Sequence, residues 1–99
     1  QPLPYQIDEA ALLLNVGEYQ RAIDAAQKVL TQWGDNVDCY KIIGVAHGEL
    51  KHKAEALKYL QRAKDLGDKS VDNFIEKYKW FRPYNFNFVK MSTFYTIYT

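Results

Sequence analysis

Three side chains in this sequence are conventional nucleophiles, soft-metal ligands or near-neutral bases: Cys39, His47 and His52. A thiolate–imidazole pair needs its two groups within hydrogen-bond reach. Cys39 and His47 lie eight residues apart on one predicted helix, which separates them by about 12 Å along its axis. His47 and His52 flank a predicted turn with no obvious third ligand, so neither a thiol enzyme nor a metal centre is expected. Cys39 reads instead as a small buried hydrophobe and His47 as an aromatic substitute in the core. The carboxylates Asp8, Glu9, Asp35, Asp38, Asp65 and Asp68 fall at helix ends or in turns, where capping and solvation account for them. The sequence holds no glycine-rich phosphate loop, nucleophile elbow or HExxH motif. The expectation is a protein with no catalytic residues, no metal and no cofactor. Lys51, His52, Lys53, Lys58, Arg62 and Lys64 make one stretch basic. These charges oppose the apolar stripe Ala56, Leu57, Leu60 and Ala63, and no aromatics interleave them. That pattern is a solvated face rather than a nucleic-acid track.

The elements that must position such residues are helical up to a break near Arg82-Pro83. Apolar residues recur at three and four: Ala22, Ile23, Ala26, Val29 and Leu30 form one stripe, then Tyr40, Ile43, Gly44 and His47 another. Ala56, Leu57, Leu60 and Ala63 make a third, and Phe74, Ile75, Tyr78 and Phe81 a fourth. A shorter apolar helix, about Gln6 to Asn15, precedes them. Gly17, Gly34-Asp35-Asn36, Lys51-His52 and Gly67-Asp68 punctuate the series. Asn36 and Ser70 are the expected N-caps, and Gly67 suits the left-handed residue that closes a helix. Five helices joined by short turns must be antiparallel neighbours.

Length and charge are consistent with one such domain. The 99 residues are 47% hydrophobic and 25% charged, and the formal charge is +1, so no strong field steers the chain toward nucleic acid. No apolar run approaches a membrane span. The chain opens at Gln1 without a methionine, which reads as a processed or excised product, and no compartment can be assigned.

Shifting the sequence by 34 residues superposes Ala22 on Ala56, Ile23 on Leu57, Gln27 on Gln61 and Lys28 on Arg62. Tyr40-x2-Ile43-Gly44-x2-His47 followed by Ala56-x3-Leu60-x2-Ala63 resembles the tetratricopeptide repeat (TPR), a 34-residue pair of helices. The resemblance covers residues 3–81. It implies an all-α, TPR-like solenoid within residues 1–82: repeat 1 about 3–36, repeat 2 about 37–70, and a capping helix about 71–81. Gln6 and Glu9 depart from the pattern in the first repeat, as does His47 in the second. Gly34 and Asp68 stand where proline usually ends a repeat. Two repeats fall short of the three that such arrays need for stability, so some other surface must cover apolar area.

In TPR proteins the first helix of each pair lines a concave groove that binds other proteins. Carried over, the resemblance implies a groove of Ile7, Ala11, Leu14 and Asn15 from repeat 1, and Asp38, Lys41, Ile42, Val45 and Glu49 from repeat 2. The capping helix adds Ile75 and Lys79. Lys41 matches one position of the carboxylate clamp that holds chaperone peptides, but Ile7, Ala11, Ile42 and Val45 are apolar where its other polar contacts would be. The implied partner is therefore a more apolar peptide or a helix laid in the groove. After Pro83 the composition changes: eight of the fifteen aromatics lie in residues 80–99. Residues 83–99 are rich in β-formers, and large apolar groups fall on both alternating faces. An extended tail is expected there, with Phe86, Phe88, Val89, Phe94, Tyr95, Ile97 and Tyr98 packing on a helical surface or holding a homodimer.

Overall fold

A computed structural model describes residues 3–80, with side chains from residue 5 onward. Within that range the secondary structure is entirely helical, and the helices follow one another at short intervals. They are α1 (Leu3–Asn15), α2 (Tyr19–Trp33), α3 (Val37–Glu49), α4 (Lys53–Asp65), a 3₁₀ turn (Lys69–Val71) and α5 (Asp72–Lys79). Each helix packs on the next, and α1 also reaches α3. Connections over residues 16–18, 34–36, 50–52 and 66–68 are each three residues long, which folds every helix back on its predecessor. α1 and α3 begin 34 residues apart, at Leu3 and Val37; so do α2 and α4, at Tyr19 and Lys53.

Local chemistry sets these boundaries. The Asn36 side chain accepts the Cys39 N–H at 3.0 Å and so satisfies one of the orphan donors at the start of α3. Gly67, at φ +110°, takes the left-handed conformation expected of it after α4. Ser70 is not an N-cap. Asp68 fills that role, accepting the Ser70 N–H at 2.9 Å, because the chain enters α5 through a 3₁₀ turn that begins one residue earlier. α1 starts at Leu3 rather than near Gln6. Pro4 is no obstacle there, since a first-turn N–H has no intrahelical partner. α5 ends at Lys79, short of the residue 81 expected for the cap. The tail residues Phe86, Phe88, Val89, Phe94, Tyr95, Ile97 and Tyr98 lie outside the described residues.

Two apolar clusters hold the helices together and share α3. The first joins Ala10 of α1, Ala22, Ile23, Ala26 and Val29 of α2, and Cys39, Ile42, Ile43 and Ala46 of α3. The second joins Tyr40 to Ala56, Leu60 and Ala63 of α4 and to Val71 and Tyr78. Small residues mark the close crossings. A Cβ on Gly44 would stand 2.7 Å from Leu60 Cγ and 3.1 Å from its backbone nitrogen, so α3 and α4 touch here only because Gly44 has none. Ala56 is fully buried in the same contact layer.

Candidate functional site

α1, α3 and α5 share a face, and on it lies a shallow groove of about 340 Å³. Spacing along α3 explains its contribution: Lys41, Ile42, Val45 and Glu49 fall within one stripe of a 3.6-residue helix. Leu14 and Asn15 come from the last turn of α1, Tyr19 from the first turn of α2, and Phe74, Lys77 and Tyr78 from α5. The apolar floor is Leu14, Ile42, Val45 and Phe74. Asn15, Lys41, Glu49 and Lys77 bring polar groups to it.

The polar groups are held in place. Tyr78 is buried against Gly48, where any Cβ would run into its ring. Its hydroxyl donates to Glu49 Oε2 at 2.6 Å, and Lys77 Nζ donates to the same oxygen at 3.3 Å. The Tyr78 hydrogen bond, then Lys77, hold the Glu49 carboxyl below its ordinary range, against the opposing effect of burial. Burial and the adjoining carboxylate push the Tyr78 phenol well up, so it stays a donor. Lys41 is partly buried rather than projecting freely. Its Nζ donates to Ser70 Oγ at 3.1 Å, and Ser70 Oγ donates to Asp68 Oδ1 at 2.5 Å. The ammonium lies 6.0 Å from the Phe74 ring centroid, within reach of its electron-rich face.

Of the residues expected at a partner site, Leu14, Asn15, Lys41, Ile42, Val45 and Glu49 line this one groove. The other expected residues do not line this groove. Ile7 and Ala11 turn partly inward and pack against the first cluster. Ile75 packs against the second. Asp38 is exposed at the start of α3, and Lys79 is exposed beyond the groove with its ammonium 5.8 Å from the Trp80 ring. Tyr19, Phe74, Lys77 and Tyr78 were not expected at the site. Phe74 and Tyr78 were legible as an apolar stripe, but a stripe alone does not say which neighbour it faces.

The other chemical candidates lie elsewhere. Cys39 is fully buried, and burial, reinforced by the Asp38 charge, pushes its thiol up to about 11. It keeps its proton at neutral pH and is no nucleophile there. His47 and His52 do meet across the α3–α4 turn, Nδ1 to Nδ1 at 3.1 Å, and the His47 ring stacks on Tyr59 at 5.9 Å between centroids. Among the described residues no group of three or more His, Cys, Asp or Glu side chains is placed to hold a metal ion. On the basic stretch, Arg62 Nη2 donates to Tyr40 Oη at 3.2 Å and stands 3.9 Å from Asp35, while Lys64 pairs with Asp72 at 3.0 Å. These cations have protein partners of their own and do not converge on a cradle. No described helix is long and apolar enough to cross a membrane.

No protein-family model matches the chain, and neither a curated protein nor a solved structure does.

Proposed function

We propose that this chain is a protein–protein interaction module of TPR-like build, which takes an apolar peptide or a partner helix along the face of α1, α3 and α5. One observation carries the reading. Leu14, Ile42, Val45 and Phe74 reach a common floor from three separate helices, with Lys41, Lys77 and Asn15 around it. An amphipathic helix or extended peptide would bury apolar side chains on that floor and set its polar groups against the rim. The 34-residue offset between helix starts supports a repeat architecture, and Gly44 and Ala56 sit where such a repeat needs small residues. The reading assigns no catalytic step and no cofactor.

Its test is a peptide library panned against the full chain, followed by calorimetry of the enriched peptides. Val45→Glu, which puts a charge on the floor, should weaken binding at least tenfold. Lys41→Glu should weaken peptides that carry acidic residues. Enriched peptides that bind both variants as well as the parent chain would place recognition on another surface.

A further inference from the structure

The sequence has two histidines, and the fold brings them together at one turn. His47 lies in the last turn of α3, and His52 stands immediately before α4 as its N-cap residue. The backbone between them is closed by hydrogen bonds. The His52 N–H donates to the His47 carbonyl at 2.8 Å and the Lys51 N–H to that of Gly48 at 3.1 Å. Lys51 takes its left-handed conformation, φ +69°, to allow this. The two Nδ1 atoms are left 3.1 Å apart.

The His47 ring is held from behind. It is half-buried and stacks on Tyr59, with the planes 10° from parallel. Tyr59 is anchored in turn, because its hydroxyl accepts from Gln27 Nε2 of α2 at 3.3 Å. His52 is exposed, so the outer side of the pair opens to water. Glu55, in the first turn of α4, is a carboxylate whose charge reaches His47. Cys39, the one thiol of the sequence, is fully buried and offers no competing site.

We propose that this turn chelates a borderline divalent ion, zinc or copper(II), through both Nδ1 atoms, with water completing the coordination. The distances carry the assignment. Two imidazole nitrogens held at about 2.05 Å by one tetrahedral ion lie roughly 3.3 Å apart, and their ring centroids roughly 5.2 Å. Here the nitrogens are 3.1 Å apart and the centroids 5.3 Å, so a slight pivot of the exposed His52 admits the ion. Imidazole is also the ligand type that zinc and copper(II) accept and that calcium and magnesium do not. With no metal bound, one Nδ1 carries a proton and donates it to the other. The ion needs both Nδ1 atoms bare, so that proton moves to Nε2 of the same ring and each imidazole stays neutral. The ion ties the end of α3 to the start of α4. Neither histidine lines the partner groove, so the two proposals stand or fall separately.

Calorimetry of the metal-free full chain with zinc chloride tests this. One ion should bind per chain, and the melting temperature should rise with zinc concentration. With copper(II), the electron paramagnetic resonance spectrum should show splitting from two nitrogens. His52→Asn removes a ligand and keeps a residue able to cap α4, so it should weaken binding at least tenfold with the circular dichroism spectrum unchanged. His47→Gln should weaken it as much. Absence of binding up to roughly 1 mM zinc and copper(II) overturns the proposal. So does binding that either variant leaves untouched, or one ion shared between two chains, which would put the ligands on separate copies.

Discussion

Gly48 carries more of this structure than its size suggests. Two effects compete when a methyl group is added there. Alanine is the better helix former by about 1 kcal/mol. Against that, the new Cβ would collide with the ring of Tyr78, which is 2% exposed and tethered to Glu49. A ring fixed at both ends cannot step aside, and overpacking of that kind costs about 1–3 kcal/mol. Gly48→Ala should therefore lower stability by up to roughly 2 kcal/mol, read as a lowered urea midpoint. Lys51 is the reverse case. It sits at φ +69°, and Gly17, 34 residues earlier, at φ +87°, so the α1–α2 and α3–α4 turns both use a left-handed residue at the same place. A side chain there costs about 1 kcal/mol that glycine does not. Lys51→Gly should raise the melting temperature, unless the loss of its charge near Glu49 outweighs the relieved strain. Cys39 is the simplest to check. With its thiol up at about 11 and no exposed surface, it should react with a disulfide reagent at pH 7–8 only as fast as the chain opens.

Helix pairs depend on how those residues meet, and here pH enters. The α3–α5 contact is held by Glu49 as a carboxylate accepting from Tyr78 and Lys77. Its folded pKa is depressed, so its contribution is complete above the ordinary carboxylate range and disappears as pH falls through the lowered value. Burial, then the neighbouring His52, lower the pKa of His47. The folded state therefore binds the proton less readily than the unfolded chain. That contribution is intact above pH of about 6.5 and is lost as pH falls through the folded value. The Nδ1–Nδ1 contact also needs one ring nitrogen without a proton, which acid removes. Thermal melts should thus weaken in two stages, first below pH of about 6.5 and again in the carboxylate range. His47→Gln should flatten the first stage and Glu49→Gln the second. The helices and their four turns were legible in the sequence because apolar spacing and residues such as Asn36 and Gly67 act locally. The α3–α5 lock was not. Gly48 and Tyr78 are 30 residues apart, and no local pattern marks a glycine as the seat of a distant ring. Ile7 and Ala11 lie outside the groove for a related reason: position along α1 does not say which of its side chains pack on the first cluster, as these two do.

At the scale of the molecule, α3 is the only helix among the described residues with buried side chains in both apolar clusters. It also supplies Lys41, Ile42, Val45 and Glu49 to the groove. Among the described helices α3 packs on α1, α2 and α4, so it has more neighbour contacts to lose than a helix packed on one side. The proposed binding face therefore rests on the helix with the most neighbours, which would suit a surface that must be ordered before a partner arrives. Native-state hydrogen exchange can separate the two clusters. Leu60→Ala removes a fully buried side chain from the second and should cost about 2–5 kcal/mol. That is a large share of what a domain this small holds. Exchange should accelerate across α4 and α5 while the α1–α2 pair changes less. Val29→Ala, in the first cluster, should do the opposite, and in both variants the slowest amides should stay in α3. If either substitution instead speeds every helix equally, the clusters open as one unit, and the groove owes its order to the whole array rather than to α3.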